Sequence, residues 1–161
     1  MPEVRASIRD EIGTLREYET VYILKPDTAQ DEISQMNARV RQILESMGGK
    51  LLDLDNWGKR KLAYEIKKQL KGIYMYWRYL APSGVVEEVQ RNLRMLDTVI
   101  RYYTVRIGEN VVPDTRTSAV DDARFSAAAE VRPDEEEIVT GAAEREEYDD
   151  EFGEPNMDEE V

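Results

Sequence analysis

The chain has 161 residues, enough for one domain of roughly 100 to 150 residues plus an appendage, and a formal net charge of −12 at neutral pH. That charge is segregated: residues 111–161 carry 18 acids against 4 arginines, or −14, whereas residues 1–110 carry 16 acids against 18 bases, or +2. With neither cysteine nor histidine, the chain has no disulfides, no thiolate nucleophile, no sulfur-ligated metal and no imidazole base or ligand, which excludes much of enzyme chemistry.

Residues 1–14 (MPEVRASIRDEIGT) are polar, with Val4, Ile8 and Ile12 spaced four apart and Gly13 ending the run. A helix of this length is marginal alone, and the segment reads as a frayed N-terminal extension. From Leu15 to Lys25 the β-branched and aromatic content predicts a strand with Tyr18, Thr20, Tyr22 and Leu24 on one face and Val21 and Ile23 on the other, a central strand apolar on both sides. Pro26 stops it. Thr28 with Asp31 three later is a helix-capping signature, and Ile33, Met36, Val40, Ile43, Leu44 and Met47 give an amphipathic helix ended by Gly48-Gly49.

Lys50 to Lys67 predicts a long second strand with a bulge or bend at Trp57-Gly58. A short link, Lys68 to Lys71, leads to a third strand over Gly72 to Ala81, where Ile73, Met75, Trp77 and Tyr79 alternate with Tyr74, Tyr76, Arg78 and Leu80; the pair is an antiparallel hairpin. After a turn at Pro82-Ser83-Gly84, Val86, Val89, Leu93, Leu96 and Val99 give a second amphipathic helix, and Ile100 to Ile107 a fourth strand closed by Gly108. The order β-α-β-β-α-β folds into a ferredoxin-like split sandwich, α+β in class, with a four-stranded antiparallel sheet and two helices on one face. The expected domain spans residues 15–110. Residues 111–161, acid runs among alanines, cannot bury enough surface to offset their ordering entropy and are expected to be a disordered acidic tail.

No stretch approaches the roughly 18 to 20 uninterrupted apolar residues of a membrane span, and Glu3, Asp10 and Glu11 break any signal-peptide core, so the expected compartment is the cytosol, with no membrane partner. No glycine pattern for a phosphate loop or a dinucleotide is present. Asp53 and Asp55 project to one side of a strand, a geometry for acid-base work or a metal, but without a histidine or pocket signature the signal is weak; neither cofactor nor metal nor small-molecule substrate is expected.

The strongest signal is cationic. Between Lys59 and Lys71 lie six bases (Lys59, Arg60, Lys61, Lys67, Lys68, Lys71) against one acid, Glu65, a local charge of +5 among large aromatics. Such a strand can offer cations to phosphates and rings to unpaired bases, and it is equally a solvated edge whose lysines deter aggregation. Arg91 and Arg94, on the polar flank of the second helix, fit either a phosphate contact or an ordinary soluble face. The tyrosines divide between core and a partly wet interface.

The Arg16-Glu17-Tyr18-Glu19-Thr20 opening of the first strand, Leu24-Lys25-Pro26, the run Trp57-Gly58-Lys59-Arg60-Lys61-Leu62-Ala63-Tyr64, and Arg91-Asn92-Leu93-Arg94 leading to Val99-Ile100-Arg101 resemble the bacterial small-subunit ribosomal protein six family. The resemblance covers about residues 15 to 108, and the tryptophan block is its specific part. It implies a structural, non-enzymatic component of the small ribosomal subunit. Such a protein binds small-subunit (16S) ribosomal RNA as a heterodimer with ribosomal protein eighteen. It also implies RNA contacts at Lys59, Arg60 and Lys61, with Arg91, Arg94 and Arg101 as further candidates. Where the family block usually continues with proline, this chain has Glu65. The reading from a different class is a ferredoxin-like regulatory or small-molecule-binding domain, since the fold alone decides no function.

Overall fold

From Tyr18 onward every second residue of Leu15–Leu24 (Tyr18, Thr20, Tyr22 and Leu24) is buried, and this strand, β1, lies inside the sheet. The computed structural model describes residues 10–121. Its elements follow the expected order: β1, α1 (Gln30–Ser46), β2 (Lys50–Ile66), β3 (Gln69–Ala81), α2 (Val85–Arg94) and β4 (Val99–Val111), then a 3₁₀ turn at Pro113–Thr115. The strands form one sheet in the order β2-β3-β1-β4, every neighbouring pair antiparallel. This is the split β-α-β-β-α-β sandwich.

Helix α1 buries Ile33, Met36, Val40 and Leu44, and α2 buries Val85, Val89 and Leu93, one stripe each at spacings of three and four. Both stripes close over the same sheet face, where Tyr22, Leu24, Met75, Trp77 and Tyr79 have almost no exposure. One buried chain of hydrogen bonds crosses this core: the Trp77 indole N–H donates to the Tyr22 hydroxyl at 3.0 Å, which donates to Asn37 Oδ1 on α1 at 2.7 Å. Burial pushes the Tyr22 hydroxyl pKa upward, against a lowering by its Trp77 hydrogen bond, so it stays a neutral donor.

The opposite face is covered at its two ends by different parts of the chain. At one end the far half of the β2–β3 hairpin curls over, and Leu62 packs against Ile23 and Ile100 with Ile66 and Tyr74 alongside. At the other, Leu52, Leu80 and Val111 cluster with Leu15. There the segment after β4 returns: Ala119 N–H donates to Leu52 O at 2.7 Å, Ser118 Oγ to Leu51 O, and Lys50 Nζ to the carbonyls of Pro113 and Arg116.

Four local expectations differ. Thr28 does not cap α1; its hydroxyl donates to Lys25 O at 2.7 Å, closing the preceding turn, and Ala29 holds the cap position with no side-chain bond. The hairpin turn is Lys67-Lys68 itself, both at positive φ (48° and 62°), so β3 begins at Gln69 rather than Gly72. β4 runs past Gly108 to Val111, and the chain stays hydrogen-bonded to the domain as far as Ala119, beyond the expected boundary at 110. Asp10 ion-pairs with Arg16 at 2.8 Å, which ties down the last residues of the N-terminal extension. Residues 1–9 of that extension and 122–161 of the acidic tail lie outside the described residues.

Candidate nucleic-acid interface

The β2–β3 pairing shifts register at Leu51/Asp53, Asn56/Gly58 and Lys61/Ile66, and the last two decide where the cations go. The first of these two falls between Asn56 and Gly58. Gly58 sits at φ 81°, a conformation that favours glycine, and donates its N–H to Asn56 Oδ1 at 2.9 Å. Trp57 is thereby turned outward, 38% exposed, and its ring stacks on Tyr76 with centroids 5.2 Å apart and planes 14° from parallel. The Tyr76 hydroxyl donates to Glu19 Oε1 at 2.8 Å, and burial first and that bond second raise its pKa.

Arg60 lies over the Trp57 ring, its guanidinium carbon 5.9 Å from the centroid, and donates from Nε to Trp57 O at 3.2 Å. It is thus a cation held on an exposed aromatic surface. Lys61 is registered directly opposite Lys71, which sets two ammonium-bearing side chains on one face, and Lys59 sits opposite Ile73. All three cations of the tryptophan block are exposed.

The second shift, between Lys61 and Ile66, loops Leu62 to Glu65 out of register and carries the hairpin tip across to β4. Tyr64, exposed, accepts a hydrogen bond from Arg101 Nη1, and the guanidinium carbon lies 5.8 Å from its ring centroid. Lys67 Nζ donates to Val99 O at 3.3 Å, and Arg94 Nε to the Tyr102 hydroxyl at 3.2 Å. Together Lys67, Arg94 and Arg101 surround an open cleft of about 240 Å³ at the junction of hairpin tip, α2 end and β4 start. Glu65 is solvent-exposed in the looped-out stretch, where the missing proline has no ladder position to spoil.

Of the six candidate cations, then, Lys59, Arg60 and Lys61 line the hairpin, and Arg94 and Arg101 share the cleft at its tip. Arg91 stands apart. It forks onto Glu88 of its own helix, Nε to Oε2 at 3.0 Å and Nη2 to Oε1 at 2.7 Å. The Arg91 hydrogen bonds hold the Glu88 carboxyl below the usual carboxylate range, with desolvation opposing and Asn92 assisting, and Glu88 in turn raises Arg91. Lys67 lines the cleft, and Tyr64 adjoins it through Arg101, although sequence reasoning placed neither there. Lys67 was visible in the charge count, but its meeting with Arg94 and Arg101 depends on the curl of the hairpin. Asp53 and Asp55 are registered with Arg78 and Tyr76, and no group of three metal-ligating side chains forms among the described residues.

Fold and site define a ferredoxin-like domain that presents a cationic, aromatic-faced hairpin and a second cationic cleft. Comparison with known proteins narrows that class. The family model described as Ribosomal protein S6 matches residues 17–106. A small ribosomal subunit protein bS6 of Geobacter metallireducens is 41% identical over 117 residues, 72% of this chain and 99% of that protein. The bS6 of a Nostoc strain is 42% identical over 89 residues, 55% of this chain and 82% of that one. The crystal structure of 30S ribosomal protein S6 from Thermotoga maritima superposes with a TM-score of 0.54 at 31% identity, over 57% of this chain and 87% of that one. The chain belongs to the ribosomal protein S6 family. It is therefore a structural, non-enzymatic component of the small ribosomal subunit, on the ribosome in the cytoplasm. Among the described residues no helix is long and apolar enough to cross a membrane.

Proposed function

We propose that this protein binds small-subunit (16S) ribosomal RNA through the β2–β3 hairpin and the cleft at its tip, as a heterodimer with ribosomal protein eighteen. The observation that carries the reading is the gathering of Lys67, Arg94 and Arg101 from three separate elements around one open cleft, beside the exposed Tyr64 ring. Cations answer phosphates, and the exposed Tyr64 ring is suited to stacking on an unpaired base. Arg91, already neutralised by Glu88, is left out of the contact set.

The basic partner follows from charge. Residues 1–110 carry a net charge of +2, low for an RNA-binding surface that works alone, since affinity for a polyanion grows with the number of phosphates neutralised. The exposed Tyr103, Val105 and Ile107 on β4, an edge strand, offer that partner an apolar strip and unpaired backbone groups. Family membership speaks against the regulatory or small-molecule alternative.

The test is a gel-shift titration of a central-domain ribosomal RNA fragment with the heterodimer. Charge reversal in Arg60→Glu together with Lys61→Glu is expected to weaken binding by at least about tenfold and to flatten the salt dependence by about two phosphate contacts. Arg91→Glu is expected to leave both unchanged. Equal affinity of the Arg60/Lys61 variant and the parent would refute the interface.

A further inference from the structure

We propose that the cleft between the start of α1 and the base of the hairpin is a seat for a phosphate group. The cleft, about 220 Å³, is lined by Pro26, Thr28, Gln30 and Ile33 on one side and by Asn56, Gly58, Lys59 and Ile73 on the other. Three sets of donors lie at it.

Helix α1 begins at Gln30 with no side-chain cap, because the Thr28 hydroxyl is spent on Lys25 O. The first intrahelical acceptor is used by Ile33, whose N–H donates to Ala29 O, so the N–H groups of Gln30, Asp31 and Glu32 precede the helical ladder. At 17 residues, α1 is long enough for those groups and its dipole to favour an anion.

Asn56 supplies the independent observation. It is 4% exposed, its Oδ1 accepts the Gly58 N–H at 2.9 Å, and its Nδ2 is a buried donor with no acceptor. The bond from Gly58 settles which end of the amide is oxygen, so the donor end is the one left over. A buried donor left unpaired is costly. An oxyanion seated in the cleft that this residue lines would give that donor an acceptor.

Lys59, exposed on the rim, adds a full positive charge. Against it stand Asp31 and Glu32, both solvent-exposed in the first turn of the helix. An amide N–H, helix N–H groups and an ammonium meeting from different directions suit a tetrahedral oxyanion better than a single carbonyl. The seat stands whether the phosphate is free or part of an RNA backbone, so it goes beyond the RNA reading and does not depend on it.

The experiment uses the ¹⁵N-labelled full chain titrated with inorganic phosphate, with sodium chloride at matched ionic strength as control. The expected result is saturable movement of the Asn56 side-chain amide and of the Gln30, Asp31 and Glu32 backbone amides with phosphate and none with chloride. Lys59→Gln and Asn56→Asp should each weaken the effect by about tenfold. Lys59→Gln alters an exposed side chain, so its reading survives if the buried Asn56→Asp change fails to fold.

A second arm replaces phosphate by the ribosomal RNA fragment. Movement of the same amides, competed by inorganic phosphate, identifies the source as the RNA backbone; movement with inorganic phosphate alone identifies free phosphate. If neither ligand moves these groups, or if Lys59→Gln leaves the phosphate curve unchanged, the seat is refuted. In that event loss of RNA binding by the Arg60/Lys61 reversal still upholds the RNA interface. Conversely, phosphate shifts at Asn56 in a chain that binds no RNA keep the seat and end the interface.

Discussion

A methyl group at position 72 would arrive 2.4 Å from Ile23 Cγ2 and 3.1 Å from Leu24 O. Gly72 adjoins the end of the β1–β3 pairing where Leu24 meets Ile73, and a side chain there would crowd Ile23 and Ile100, on which Leu62 packs. Gly72→Ala is expected to cost about 1–3 kcal/mol by overpacking, read as a lower denaturant midpoint at unchanged slope. In the core, burial pushes the Tyr79 hydroxyl up to about 12, with its Thr20 hydrogen bond opposing. The phenol is favoured neutral in the fold, so this contribution is complete below the ordinary tyrosine value of about 10 and is lost as pH rises from there through about 12. An alkaline titration followed by circular dichroism should show unfolding begin in that window, and Tyr79→Phe should delay it. A residue such as Asn56 shows why single positions resist reading from sequence. Asparagine in a strand beside Trp57-Gly58 signals a bulge, but whether its amide ends paired or orphaned depends on which hydrogen bond the bulge takes.

At the scale of elements, all six strands and helices and their order were legible from hydrophobic period, two in β3 and three and four in α1 and α2, and from the turn residues between them. The boundaries that slipped did so where tertiary geometry overrode local chemistry. A two-residue hairpin turn with both central residues at positive φ is ordinarily announced by Asn-Gly or Asp-Gly, and Lys67-Lys68 announces nothing. The pair is held there by the pairing of Ile66 with Gln69 and by the Lys67 bond to Val99 O, at a conformational cost of about 1 kcal/mol or more for each non-glycine residue. Lys68→Gly is therefore expected to stabilise the domain by about 1 kcal/mol, a rise of several degrees in Tm for a domain this size, with Lys67 and its cleft untouched. Its opposite, lower Tm, would mean that the turn is set by a Lys68 contact rather than by strand register. The cations were legible as one cluster but not as two. The bulges at Gly58 and at Leu62 to Glu65 send Lys59, Arg60 and Lys61 to one place and Lys67 to another, and a bulge's effect on facing cannot be counted from alternation.

For the whole molecule the governing feature is where the charge stops. The segment after β4 folds back over the sheet and is clasped by Glu17, a carboxylate 5% exposed that accepts from Arg116 Nε at 3.1 Å; Arg78 Nε lies 3.2 Å away, an ion contact whose angle makes no hydrogen bond. Through Asp121 the chain carries 18 acids and 19 bases, a charge of +1, so the remaining 40 residues, with 16 acids and 3 arginines, hold −13 of the total −12. An RNA phosphate approaching the hairpin thus meets a weakly cationic domain tethered to a strongly anionic segment. The two act oppositely on encounter: local cations attract at contact distance, whereas negative charge repels a polyanion within about a Debye length. Ending the chain after Asp121 is therefore expected to raise affinity for non-cognate RNA by about tenfold or more at low salt. The gain should shrink towards nothing as salt rises, while stability stays the same because the Glu17–Arg116 clasp is retained. Filter binding of the full and shortened chains to an unrelated RNA across a salt series measures this directly. Equal affinities at low salt would show that the acidic residues exert no field at the hairpin, and their role would then have to be sought in contacts with a basic protein.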